Sequence, residues 1–175
     1  MKAPSVDEFQ SAAEQFCALA SSDSPLGLTD LWVIRELLLQ LIFHVPAVED
    51  HVHGADFNGR GIDDDEFGRA VGRFAKLPFN FYRVVFDPHD FEAEDEPVTG
   101  MLADDLADIY RDLQEGVDNA ANGHLDDACF DWCQSYSSHW ARHAVNALGA
   151  IEIYRTDNNE RVEQGADDQA AAAAK

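Results

Sequence analysis

Apolar residues recur at three- and four-residue spacing along most of this chain, the period of helices packed on one side. Val6, Phe9, Ala13, Phe16, Cys17 and Ala20 form such a stripe, predicting an amphipathic helix over Ser5 to Leu19 with Ser5 as its cap. Ser21 to Gly27 is a run of breakers and cap formers and reads as a loop. A second helix starts at Thr29 or Asp30. Its Leu31, Val33, Ile34, Leu37, Leu38, Leu41, Ile42 and Val45 cover most of its circumference, which predicts a central position. Pro46 is expected to end or kink it. Residues Glu49 to Gly61 read mostly as a loop. A third helix follows from about Asp63 to Lys76, with acids in its first turn and bases toward its end, the order a helix dipole favours.

The segment Phe79 to Phe86 fits a short strand or a short helix. With no second strand-like segment to pair with it, a short helix or an extended stretch on the core is expected. Asp87-Pro88 closes it, and Phe91 to Pro97 is an acidic loop. Thr99 is then expected to cap a helix from Gly100 to about Ala121, with Leu102, Leu106, Ile109, Leu113 and Val117 on one face. Asn122-Gly123 should end it in a left-handed turn. The last helix is predicted from Leu125 or Asp126 to about Tyr154, burying Cys129, Cys133, Tyr136, Trp140, Ala144, Ala147 and Ile151. So short a turn folds these two helices into an antiparallel hairpin. From Thr156 the composition becomes polar and then alanine-rich. The expectation is one all-α domain over residues 1–155, a compact bundle of about five main helices, with a disordered tail over 156–175.

Composition adds charge and compartment. The 175 residues carry 12 Lys+Arg against 34 Asp+Glu, a formal charge of −22. That balance argues against direct nucleic-acid binding and against an anionic membrane surface, because phosphate contact needs Lys and Arg. Met1 to Glu8 lacks the basic start and apolar run of a secretory signal. Leu31 to Val45 is interrupted by Arg35, Glu36, Gln40 and His44, short of the ~18 uninterrupted apolar residues of a membrane span. Three cysteines is an odd count, which suits reduced thiols better than a disulfide framework. A cytoplasmic protein is expected. Cys129 and Cys133 share a helix face and would bind metal only with two further ligands nearby.

One stretch carries a family likeness. Asp104-Asp105-Leu106-Ala107-Asp108-Ile109-Tyr110-Arg111-Asp112-Leu113, followed by Trp132 and His139-Trp140-Ala141-Arg142-His143, resembles an uncharacterised bacterial family of unknown function. The aromatic segment ending in Phe86-Asp87-Pro88 upstream of the acidic helix is similar as well. The resemblance spans roughly Phe9 to Ala150 and implies a compact helical domain. It implies no activity.

The chemistry must therefore come from the residues themselves. Folding the hairpin about Asn122-Gly123 puts Asp105 and Asp108 level with His139 and His143. Two carboxylates and two imidazoles there could ligate a divalent metal, since histidines at i and i+4 can share one ion. Such a centre in a helical bundle could activate water for hydrolysis. The alternative is a structural aspartate–histidine–arginine network joining helices, with the Trp140 indole and the Tyr110 hydroxyl also seeking partners. Arg69, Arg73 and Lys76 form a basic strip on the third helix, the expected intramolecular partner for the row Asp105, Asp108 and Asp112.

Other motifs are weaker. Asp56 to Phe67 looks like a calcium loop, but Arg60 stands at its fifth position and Phe67 at its twelfth, where glutamate is required. A glycine turn before an acidic helix start is the expectation. His51-Val52-His53 would share a face only on a strand. The Asp104-Asp105-x-x-Asp108 run resembles the magnesium carboxylates of prenyl-diphosphate enzymes, whose usual helical fold is far larger. The chain has no nucleophile elbow and no phosphate-binding glycine loop.

Charge is concentrated between Asp87 and Asp118, where 12 acids face one base, Arg111. Asp104, Asp108, Asp112 and Glu115 are expected to form an acidic surface. Such a face is usually just solvated. It could also dock a basic protein partner or imitate the phosphate row of DNA. The function favoured by sequence alone is a non-catalytic binding or regulatory module for a basic protein, with no cofactor. The alternative is a small metal-dependent hydrolase built on Asp105, Asp108, His139 and His143.

Overall fold

Leu31, Ile34, Leu38 and Leu41 are fully buried along α2 (Leu28–Val48). The computed structural model describes residues 3–49, 59–85, 87–90, 92 and 96–158, and the backbone of 159–173. In it α2 packs against α1 (Val6–Ser21) and the C-terminal helix α6 (Ala141–Ala173). It is not wholly enclosed, since Val33, Leu39 and Phe43 stay exposed on its outer side. Among the described residues it is the one helix long and apolar enough to cross a membrane. Its buried face belongs to the core.

Local chemistry sets the starts of these helices. Gly27 precedes α2, and the Asp30 carboxylate turns back to accept its N–H at 2.8 Å. Pro46 lies inside α2, which continues to Val48. Ser5 precedes α1 without using its hydroxyl. Instead its N–H donates to His44 Nδ1 at 3.0 Å, satisfying a buried imidazole on α2. Asp63 caps α3 (Asp64–Phe74) by accepting from Glu66 N at 2.8 Å, and the Glu66 carboxylate accepts in turn from Asp63 N at 3.1 Å. The second half of the calcium-like stretch is thus a glycine turn at Gly61 (φ +61°) and a capping box. Asp56, Phe57 and Asn58 lie outside the described residues, as do His51 and His53.

The described part of the predicted segment, Phe79 to Val85, departs from expectation. β1 (Phe81–Val84) pairs antiparallel with β2 (Val98–Met101), Tyr82 opposite Gly100. The partner was hidden because Val98-Thr99-Gly100-Met101 reads as the cap of the next helix. Thr99 accordingly caps nothing: α4 (Leu102–Ala121) begins two residues later than predicted. Its first N–H groups are satisfied from a distance, Leu102 N by Asn80 O at 2.8 Å and Ala103 N by Asn80 Oδ1 at 2.9 Å.

Gly123, at φ +84°, turns the chain as predicted from α4 into α5 (Leu125–Ser135), and the two pack as a helical hairpin. The predicted single last helix is instead α5, a π-helical turn over Tyr136–Trp140, and α6. A helix turns about 100° per residue, so Trp132 and Trp140 would stand about 80° apart on one α-helix. The wider π turn absorbs one residue and brings both indoles onto the core side, where each is fully buried. α6 also runs past Tyr154 to Ala173, where a tail was expected. Alanine and glutamine sustain a helix, and Gly165 is the only breaker in that stretch. The fold is helical with one small ribbon among the described residues.

Candidate metal centre

On α4, Asp105, Asp108 and Asp112 are three and four residues apart and share one side. That side faces the π turn and the first turn of α6, which carry His139 and His143. His143 Nδ1 lies 2.7 Å from Asp105 Oδ1, and His139 Nδ1 lies 2.7 Å from Asp112 Oδ2. The two rings sit edge to face with centroids 4.7 Å apart. His143 Nε2 is 3.8 Å from Asp108 Oδ2. One ligand atom each from Asp108, His139 and His143 falls within 4.8 Å of the others.

The carboxylates are held from behind. Tyr82, reaching over from β1, donates its hydroxyl to Asp105 Oδ2. Arg111 pairs with Asp108 Oδ1, leaving Oδ2 toward His143. The Arg111 guanidinium also lies 4.4 Å over the ring of Phe67 on α3. Asp105 and Asp108 are buried at 8 % and 7 % exposure, while His139 is open to solvent. The cluster is therefore walled by protein on the α4 side and accessible at His139.

Crowding shifts the titration of several groups. The hydrogen bond to Asp105 raises the His143 imidazole above its ordinary 6.5, with burial opposing. Burial raises the Asp112 carboxyl above its usual 3.8, against the lowering effect of His139. Asp104 is exposed, yet partial desolvation and then the neighbouring Asp108 and Asp105 carboxylates raise it too. Burial, and then the bond to Asp105, pushes the Tyr82 phenol well above its normal range, so it stays a donor.

The family model for a domain of unknown function, DUF5063, matches residues 3–157. This chain belongs to DUF5063. A solved structure of similar fold is protein BF1032 from Bacteroides fragilis, at 17% identity and a TM-score of 0.65 over 83% of this chain and 89% of that one. No curated protein matches the sequence. These likenesses establish family and fold and carry no chemistry.

Within this DUF5063 domain the structure gathers Asp105, Asp108, His139 and His143, the residues the hairpin argument put together. It separates others. The basic strip does not meet the aspartate row: Arg73 donates to Leu19 O at 2.8 Å and to Ser24 O, turning α3's bases toward the α1–α2 connection. Arg111, on the same helix as the aspartates, takes the place expected of it. Nor is the acidic face uniform: Asp104 is exposed, Asp112 and Glu115 are partly covered, and Asp108 is buried. Cys129 is buried and Cys133 partly so, both as free thiols. Burial pushes the Cys129 thiol up to about 11 and raises that of Cys133, which disfavours the thiolates a metal pair would need.

Sequence reasoning missed Tyr82. Gly100 admits it, since a Cβ there would stand 2.7 Å from Tyr82 Cζ, a clearance that shows only once the two strands pair. The phenol crosses to α4 through space that only glycine leaves.

Proposed function

We propose that this DUF5063 domain binds one divalent transition-metal ion through Asp108, His139 and His143 and uses it to activate water for hydrolysis. The observation that carries this reading is the pairing of both imidazoles through Nδ1 with carboxylates. In the neutral ring, Nδ1–H donates to the carboxylate and Nε2 keeps its lone pair. A carboxylate behind each ligating histidine is the usual outer shell of a histidine metal site, fixing tautomer and orientation. Asp105 and Asp112 stand in those positions, and Tyr82 braces Asp105 in turn.

The donor set suits zinc, iron or manganese. Two ligands at about 2.1 Å in a tetrahedral shell are about 3.4 Å apart, so the 3.8 Å between His143 Nε2 and Asp108 Oδ2 needs only a small contraction. Three protein ligands leave a position for water, whose pKa a bound ion lowers toward neutrality. Arg111 stays on the other oxygen of Asp108 and holds it in place.

Titration of Zn2+ and Mn2+ into chelator-stripped full-length protein tests this. Binding of about one ion per chain is expected. His143→Ala and Asp108→Asn should lose at least tenfold in affinity, while Asp104→Asn should change it little. Metal-dependent hydrolysis by the loaded protein should follow the same pattern across a panel of simple esters and phosphoesters. Undiminished binding in His139→Ala and His143→Ala would rule the site out.

A second reading keeps the basic protein partner. It is supported by exposed Asp104 at the head of α4, in a run where 12 acids meet one base. Asp105, Asp108 and Asp112 are engaged inside the cluster, so docking would fall to Asp104 and its outward neighbours. A partner captured at low salt and released at high salt supports it, and capture indifferent to salt counts against it. The three free thiols suit a cytoplasmic site of action for either role.

A further inference from the structure

The basic strip of α3 and the turn after it, where Lys76 falls because the helix ends at Phe74, is unclaimed by the acidic cluster and borders a cleft of its own. Arg69, Arg73 and Lys76 face Ser22 and Ser24 of the α1–α2 connection across a cavity of about 510 Å³, with Tyr110 of α4 also lining it. We propose that this cleft binds a small phosphorylated molecule. The site is independent of the metal centre.

Charge distribution is the first support. A chain of net charge −22 repels anions over most of its surface, yet three of its 12 bases converge here. Arg69 and Lys76 are exposed, and their side chains make no hydrogen bond or ion pair to any described residue. The remaining acids of the cleft are Asp23 and Glu66, and Glu66 is already paired with Arg60 at 2.8 Å.

Preorganisation is the second. Arg73 is fixed by donating Nε–H and an Nη1–H to two backbone carbonyls, Leu19 O and Ser24 O. Of its five N–H donors three are left, on a guanidinium that no longer has to be ordered when a ligand arrives. A planar fork of this kind matches phosphoryl oxygens, and a nearby lysine adds a point charge. Ser22 Oγ accepts from Ser24 N at 3.1 Å, which leaves its O–H free to donate. Tyr110 is 5 % exposed and its phenol makes no hydrogen bond to any described residue. Burial raises that phenol above its ordinary value, so it too is a donor at neutral pH.

The size fits a free small molecule, as ligand pockets typically occupy about 300–1,000 Å³. Gly72 lines the cleft, and a Cβ there would meet nothing within 4 Å.

Calorimetric titration of the full chain with inorganic phosphate and with pyrophosphate, in chelator so that the metal centre stays empty, tests the proposal. Saturable binding is expected with at least one probe. It should weaken at least tenfold in Arg69→Ala/Lys76→Ala and in Gly72→Glu, which puts a carboxylate into open space. Thermal melts should show both variants folded, and the probe should raise the wild-type Tm more than sodium chloride of equal ionic strength. No saturable heat, unchanged affinity in the double variant, or a Tm rise that sodium chloride reproduces would overturn it. Co-sedimentation with phosphatidylinositol-phosphate vesicles in competition with pyrophosphate would assign the cleft to a lipid headgroup and overturn the free-molecule assignment.

Discussion

His143 is the residue on which most of the candidate chemistry turns. Its two nitrogens face different carboxylates, Asp105 at 2.7 Å and Asp108 at 3.8 Å, and this asymmetry separates an orienting partner from a ligand. Asp105→Asn should therefore fold and keep all three ligands, yet weaken metal binding about 10–100-fold, the usual effect of losing such a partner. Tyr82→Phe acts one step further out and should have a smaller effect of the same sign, read in the same metal titration. Neighbouring packing holds the pair in register. Trp132 Nε1 donates to Leu113 O at 3.0 Å, and a Cβ on Gly116 would overlap the Trp132 indole. The identities of Asp105 and His143 were legible in the sequence because i,i+4 spacing fixes which side chains share a helix face. Tyr82 was not legible, because its partner lies 23 residues away across a ribbon the local pattern hides.

The element that departs most from its sequence pattern is the π turn between α5 and α6. It carries His139 and resets the helical register between Trp132 and Trp140. Apolar spacing alone cannot reveal it, since the two indoles, eight apart, each fit a helical stripe when taken with nearer neighbours. Deleting Ser137 should let the turn close into α-helix with both tryptophans still on one face, and the melting temperature should change little. Deleting Ala144, within regular α6, rotates everything beyond it by about 100° and should lower the melting temperature sharply. Equal tolerance of the two deletions would show that register is not what the π turn supplies. The ribbon is the other departure. Its strands serve α4 by presenting Asn80 to the helix start and Tyr82 to Asp105.

For the whole molecule the decisive quantity is proton balance. His143, Asp112 and Asp104 all have native pKa values above their ordinary ones. The native chain thus holds these protons more tightly than the unfolded chain does. For His143 that stabilisation is fully present below its ordinary 6.5 and is lost as pH rises through its raised native value. The two aspartates act in the same direction from their ordinary 3.8 upward. Thermal melts in chelator should accordingly show stability declining as pH climbs past about 6.5, a decline that His143→Gln should flatten. Metal reverses the sign. A ligating imidazole must be deprotonated, so the stabilisation conferred by Zn2+ should grow over the same interval, with proton release on binding.

The amino-acid pattern determined what each segment would become by itself: helix periods, the Asn122-Gly123 turn, the Asp63 cap and the excess of acid. These depend on residues within a turn or two of each other, and such interactions are fixed by backbone geometry whatever surrounds them. Tertiary structure decided the pairings. Arg111 rather than the α3 strip meets Asp108, Val98–Met101 becomes a strand because Phe81–Val84 lies beside it, and Tyr82 passes over Gly100 to reach Asp105. Each of those outcomes depends on which buried faces meet when the core closes. That choice is settled by the packing of the entire apolar interior, and no single segment contains it.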